Sequence, residues 1–144
     1  MSRLGREQYY LNLAEAAAQR ATCDRAKVGV VLVSLNTKRV VGMGYNGSPP
    51  GTAHCDDVGH VLVDDHCIRA IHAEMNALLH RISFLQEPLA AYCTHLPCWD
   101  CFKALYTAGV RWVHYSRLYG DVRILDWVPL VLPAMAILHE TATV

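Results

Sequence analysis

Two short stretches carry the residue types that a metal-assisted hydrolysis needs: His72-Ala73-Glu74 and Pro97-Cys98-Trp99-Asp100-Cys101. Cysteines three positions apart at the start of a helix lie on one face, so both sulfurs can reach a single ion. The positive end of that helix favours thiolates, and Pro97 suits a helix start because its missing N–H costs nothing there. His72 adds a third ligand and leaves the fourth tetrahedral position to water, as in catalytic zinc sites. Two thiolates and a neutral imidazole cancel the charge of the ion, and zinc lowers the pKa of its water to about 7. Glu74 then stands where a carboxylate can take that proton and later deliver protons to a ring nitrogen and a departing amine. Such general acid–base transfer contributes about 10²–10⁴-fold. A lone Cys-x-x-Cys serves equally as a redox pair or as half of a structural zinc knuckle. The order of the two motifs, the proline and the paired helix starts together select catalytic zinc.

Strands and helices must bring these motifs together. Glu7 to Ala21 is alanine-rich and reads as an amphipathic helix. Val28 to Val33 is a continuous apolar run, the pattern of a strand covered on both faces, and Arg39 to Tyr45 reads as its hairpin partner. Residues 46–51 form a loop by turn composition, and 52–69 is irregular. Ala73 to Ile82 is read as a helix, Leu89 to Thr94 as a strand, and Trp99 to Ala108 as a helix stopped by Gly109. Arg111 to Tyr115, a short helix over Trp127 to Leu132 and a last strand over Ala136 to His139 complete the chain. Alternating strands and helices predict an α/β layer fold with helices on a mixed sheet.

Length and charge bound the partners. The chain has 144 residues, which fits one domain spanning 1–144, and 53% of them are hydrophobic, enough for a continuous core. Thirteen Lys and Arg balance thirteen Asp and Glu. That leaves no broad basic face for a nucleic-acid backbone and points to a small substrate. The longest apolar run, Trp127 to Leu138, is broken by Pro129 and Pro133 and is read as buried. It falls short of the roughly 20 residues that span a bilayer, so no membrane partner is expected. The polar first ten residues lack an apolar signal core, which predicts a cytoplasmic, reducing setting with the six cysteines as thiols. Cys93 reads as a core side chain, Trp99 as a pocket wall or core residue, and His80, His114 and His139 as surface or satisfied histidines.

His-x-Glu followed by Pro-Cys-x-x-Cys is the pattern of zinc deaminases that attack C4 of cytosine or C6 of adenine. Around it stand Cys23-Asp-Arg-Ala-Lys-Val-Gly29, Gly44-Tyr-Asn-Gly-Ser-Pro-Pro-Gly51, His54-Cys55-Asp56, Asp65-His-Cys-Ile-Arg69 and Thr94-His-Leu-Pro-Cys-Trp-Asp-Cys101. With these, the chain resembles the deoxycytidylate (dCMP) deaminases of the bacterial and phage type, within the cytidine-deaminase-like superfamily. The resemblance extends from about residue 7 to about 120, and the Gly-Tyr-Asn-Gly-x-Pro loop discriminates best.

The resemblance implies a three-layer α-β-α sandwich around a mixed five-stranded sheet. It implies hydrolysis of dCMP to dUMP and ammonia for thymidylate synthesis, with His72, Cys98 and Cys101 on zinc and Glu74 as proton shuttle. Asn46, Ala73 and Tyr119 match substrate positions, and Arg25 is a candidate for the 5′-phosphate, since a guanidinium can hold phosphate bidentately. Cys23 and Cys55 match positions that bind a second, structural zinc in some relatives. His60 and Cys67 are the further candidates, with His54 and His66 as rivals to His60. The resemblance also implies a homohexamer activated by dCTP with Mg2+ and inhibited by dTTP. The triphosphate would be cradled by backbone N–H groups of the 44–51 loop, which Gly44, Gly47 and Gly51 open to an anion, with Lys27 nearby. One departure bears on that control: positions that link effector and active site in some relatives read His80 and Ser83 here. Deamination of another cytosine nucleotide or nucleoside (dCTP, cytidine), or of a base in nucleic acid, is the alternative substrate class.

Overall fold

The computed structural model describes residues 2–82 and 87–140. Ser83 lies outside the described residues. Helix α1 (Arg6–Ala18) is followed by strands β1 (Gly29–Ser34) and β2 (Val40–Tyr45). A short α2 (Cys55–Val58) and a two-residue pair, β3 (Leu62–Val63) and β4 (His66–Cys67), lead to α3 (Ala73–Leu79). Then come β5 (Leu89–His95), α4 (Trp99–Thr107), β6 (Val110–Arg117), α5 (Ile124–Val131) and β7 (Ala136–His139).

The main sheet runs β2-β1-β5-β6-β7. β1 is antiparallel to both neighbours, while β5, β6 and β7 are parallel, so the sheet is mixed. β1 starts one residue after the expected Val28 and takes in Ser34; all six of its residues are buried, as expected for a strand covered on both faces. Its side chains alternate: Val30 and Leu32 join Ala91, Cys93, Val113 and Tyr115 under α3, α4 and α5. Val31 and Val33 join Ala90 and Tyr92 under Tyr10, Leu11 and Ala14 of α1. Helices therefore cover both faces, which makes the three-layer sandwich.

Two glycines set how close the layers come. A Cβ on Gly29 would stand 2.0 Å from the carbonyl oxygen of Ala14, and one on Gly44 only 2.4 Å from the Ala77 nitrogen. Backbone of α1 thus rests on β1 and backbone of α3 on β2, and the latter contact fixes the height of α3 above the sheet.

Several elements depart from the sequence reading. α3 ends at Leu79 rather than Ile82, and His80 closes it with its Nδ1 on the Asn76 carbonyl at 2.8 Å. α5 begins at Ile124, three positions early, because Ile124, Val128 and Leu132 form its inward stripe. The 127–138 run is not buried throughout: Leu130 is 80% exposed, since its position on α5 points away from that stripe. Trp99 packs edge-to-face on Trp127 at 5.7 Å and belongs to the core rim. Cys93 is fully buried, and His114, buried on Tyr92, faces Glu140 at 3.1 Å. Among the described residues no helix is long and apolar enough to cross a membrane.

Candidate active site

His72 and Cys98 each occupy the N-cap of a helix, α3 and α4 respectively, with extended backbone. Pro97 therefore stands just outside α4 rather than as its first residue. The chain turns sharply at both caps, and α3 and α4 pack together, so the two helix starts converge at the carboxyl end of β5. Open α/β sheets commonly bind ligands at that end of their parallel strands. His72 Nδ1 lies 3.6 Å from Cys98 Sγ and 3.5 Å from Cys101 Sγ. The three ligand atoms all fall within 4.8 Å of one another.

These distances can be tested against zinc. Tetrahedral bonds of about 2.3 Å to sulfur and 2.0–2.1 Å to nitrogen require a sulfur–nitrogen edge of about 3.6 Å. Both observed separations agree, so the donor set and its spacing fit the ion. The Cys98 thiol is pulled down to about 4, first by the hydrogen bond from Cys101, against burial and with help from His72. The same bond and burial push Cys101 up, and the hydrogen bond with Cys98 raises His72. The pair thus favours ionisation at Cys98 over Cys101, and a bound cation would draw the proton from both.

Glu74 sits in the first turn of α3 and is 5% exposed. Desolvation by burial is the main cause that raises its carboxyl above the usual range. A buried carboxyl held ready to carry a proton, beside a metal-fitting triad, is the arrangement of a proton shuttle. Ala73, between His72 and Glu74, is buried against the backbone of Gly44.

The other candidates are placed as follows. Asn46 is buried, and both its Nδ2 hydrogens are taken: one donates to Cys23 O at 3.1 Å, the other to Ala26 O at 2.7 Å. Its Oδ1 accepts from Val28 N at 2.8 Å, so only a remaining lone pair can meet a ligand. Tyr119 is half exposed and packs edge-to-face on His95 at 5.4 Å. Burial, and then Arg117, lower His95. Arg25 donates through Nη2 to Asp65 O at 2.8 Å, with Asp65 Oδ1 at 3.4 Å, and thus ties down the turn before β4.

Two of the three loop glycines do not serve as expected. The space beside Gly44 is filled by α3, and that beside Gly47 by the Thr22 hydroxyl at 2.7 Å. Asn46 N donates to Val28 O and Gly47 N to Ile71 O, so these N–H groups are unavailable to an anion. Gly51 alone of the three has open space around it.

A second group gathers Cys23, Cys55, His60 and Cys67, again within 4.8 Å of one another. Neither His54 nor His66 belongs to it. His60 Nδ1 lies 3.4 Å from Cys23 Sγ, and Cys55 Sγ lies 3.5 Å from Cys67 Sγ. Burial pushes the Cys55 thiol up to about 12, with the neighbouring thiols adding to it. Burial opposes ionisation of Cys67 as well, yet the N–H groups of Arg69 and Ala70 and the His60 ring bring it to about 6. Four protein donors leave no open position, which is the signature of a structural zinc site. Asp24, 3.0 Å from His60 Nε2, lies within the Cys23-to-Gly29 motif, whose pattern gives it no role. Its adjacency to Cys23 was the available signal.

Comparison with known proteins agrees with this geometry. A family model described as the cytidine and deoxycytidylate deaminase zinc-binding region matches residues 5–117. The chain is 39% identical over 131 residues to the deoxycytidylate deaminase of Mycobacterium phage D29, covering 81% of this chain and 98% of that protein. It is 41% identical over 121 residues to ComE operon protein 2 of Bacillus subtilis, covering 83% of this chain but 63% of the relative's length. The dCMP deaminase of cyanophage S-TIM5, solved in complex with dCMP and dUMP, superimposes with a TM-score of 0.77 at 29% identity, covering 97% of this chain and 100% of that one. With a metal-fitting triad, a buried glutamate and a family model spanning residues 5–117, the chain belongs to the zinc-binding cytidine and deoxycytidylate deaminase family.

Proposed function

We propose that this chain, as a single deaminase domain, hydrolyses dCMP to dUMP and ammonia, with zinc held by His72, Cys98 and Cys101. The observation that carries this reading is the buried Glu74 carboxyl beside the triad of metal donors. Bound zinc supplies activation of a water for attack at C4 of the base. Glu74 would take a proton from that water and pass it to the ring nitrogen, then take the remaining proton from the hydroxyl now on C4 and deliver it to the amine, which departs as ammonia. Burial supports each step, because it raises the carboxyl and so makes it a better proton acceptor that can still return the proton.

The substrate assignment draws support from the phage relatives, named as deoxycytidylate deaminases, and from the cyanophage complex with dCMP and dUMP. Tyr119, beside His95 near the carboxyl ends of β5 and β6, faces the sugar or phosphate, and Arg25 supplies charge once it releases Asp65. Asn46 and Ala73 shape the rim, with the free lone pair of Asn46 Oδ1 as its ligand contact. A structural zinc at Cys23, Cys55, His60 and Cys67 pins the irregular 55–67 segment. The neutral charge balance favours a free nucleotide over nucleic acid. A cytoplasmic homohexamer, controlled by dCTP with Mg2+ and by dTTP, completes the reading. With the Asn46 and Gly47 N–H groups already bonded, the triphosphate is left the open stretch around Gly51 and the exposed Lys27.

Ammonia release from dCMP, CMP, dCTP, deoxycytidine and a cytosine-containing oligonucleotide, measured side by side, tests the assignment. Preference for dCMP is the expected result, and preference for any other member transfers the function to it. Rate curves with dCTP or dTTP, beside a solution mass, test control and assembly. Hyperbolic curves indifferent to both triphosphates, or a monomer, would refute those parts.

A further inference from the structure

His60 presents its two ring nitrogens to different partners. Nδ1 faces Cys23 Sγ at 3.4 Å, and Nε2 faces Asp24 Oδ1 at 3.0 Å. A metal-binding imidazole commonly donates its other N–H to a carboxylate, which fixes the tautomer and strengthens the ligand. Without a metal, Asp24 would make only an exposed ion pair, worth little. The segment the cluster holds cannot hold itself. β3 and β4 are two residues each, Leu62 and Val63 are about half exposed, and an isolated two-stranded pair is marginal in water.

From this cluster two short routes lead to the active site. Cys23 passes its carbonyl to Asn46 Nδ2, and the next residue, Gly47, bridges Ile71 in both directions, with N···O distances of 3.2 and 2.8 Å. Ile71 immediately precedes His72. On the other route, the chain itself runs from Cys67 through 68–71 to His72.

We infer that Asp24 is a positioning residue for the second metal, and that this metal holds Asn46, Gly47 and Ile71, and through them His72, in the geometry the catalytic site requires. The inference rests on reading Cys23, Cys55, His60 and Cys67 as a zinc site, as above. It adds that the second centre governs the first rather than merely stapling a loop.

Asp24→Asn in the full chain tests it, with Asp24→Glu as the variant that keeps the carboxylate. Zinc per chain and its release to a chromophoric chelator are followed together with hydrogen–deuterium exchange of the peptides containing residues 46–47 and 71–72. In the wild-type chain two zinc ions are expected. In Asp24→Asn one of them should be held about 10–100-fold more weakly, the range typical of lost outer carboxylates, and should leave faster. As it leaves, the amides of Asn46, Gly47 and Ile71 should exchange faster, and KM for dCMP should rise more than kcat falls. Added zinc should restore both, and Asp24→Glu should sit near wild type; neither follows from a defect of folding. Zinc release equal to wild type would overturn the role of Asp24. Faster release with unmoved exchange at 46–47 and 71–72 would overturn the coupling. A wild-type chain holding one zinc would remove the second-site reading and this inference with it. Two zinc ions with no turnover of dCMP would instead fault only the substrate, and zinc release and exchange would still decide the coupling.

Discussion

His72 Nδ1 and Cys101 Sγ stand 3.5 Å apart although 29 positions separate them along the chain. That separation is the edge of a zinc tetrahedron, and it exists because α3 and α4 start side by side. Cys101→Ser replaces a buried soft ligand with a hydroxyl that ionises poorly. Elemental analysis should show one zinc fewer per chain, and deamination should vanish with it. Full zinc content in that variant would exclude Cys101 as a ligand.

Glu74→Gln preserves shape but removes the proton carrier. Zinc should remain bound while turnover of dCMP falls by at least about 10²-fold. Near-normal turnover would end the shuttle assignment.

The same substitution should stabilise the metal-free chain. Burial raises the Glu74 carboxyl above its unfolded value. As pH climbs from the unfolded pKa to the folded one, the unfolded chain loses its proton first, so stability falls across that window and the loss persists above it. Gln never ionises and escapes the loss. Metal-free Glu74→Gln should therefore melt higher than metal-free wild type at pH 7, with the gap closing near pH 4. An equal gap at both values would contradict the desolvation argument.

Gly44 and Gly51 separate steric from conformational demand. A Cβ at Gly44 would meet the Ala77 nitrogen at 2.4 Å and the Ala73 oxygen at 2.5 Å, both rigid backbone. Overpacking of this kind costs about 1–3 kcal/mol, or roughly 4–12 °C in melting temperature for a chain of this size. Gly51 has φ +83° and open space, so Gly51→Ala meets only left-handed strain of about 1–2 kcal/mol. Gly44→Ala should also disturb zinc binding, because α3 carries His72 on its cap. Scanning calorimetry and metal analysis of the two variants check both statements.

Nucleotide preference should respond to two side chains. Tyr119→Ala and Arg25→Gln should each lower the ratio of kcat/KM for dCMP to that for deoxycytidine by about tenfold or more, since a site built for a polar group loses discrimination without it. Because Arg25 is tied to Asp65, Asp65→Asn should raise that ratio if release of the guanidinium limits phosphate binding. Unchanged ratios in all three variants would move the phosphate elsewhere.

Residue types and spacing alone pointed to the metal-donor triad and its glutamate: His72, Glu74, Cys98 and Cys101 are legible because each pair is a local pattern on a helix start, and the structure brings the three donors together. The strand β1 was equally legible, since a strand buried on both faces demands an apolar run such as Val30 to Val33. The order of the motifs pointed to catalytic zinc, and the balanced charge pointed to a small substrate. What local patterns could not decide was every choice among chemically equal neighbours. His54, His60 and His66 are interchangeable on paper, and only the fold of α2 and the β3–β4 pair brings the ring of His60 to Cys23. Asn46, Arg25 and the loop glycines are polar or small residues whose partners come from distant segments. The carbonyls of Cys23 and Ala26, the turn at Asp65 and the backbone of α3 claim them first. Such assignments depend on ångström distances between parts of the chain that share no local periodicity, and packing of α1 and α3 onto the sheet is what sets those distances.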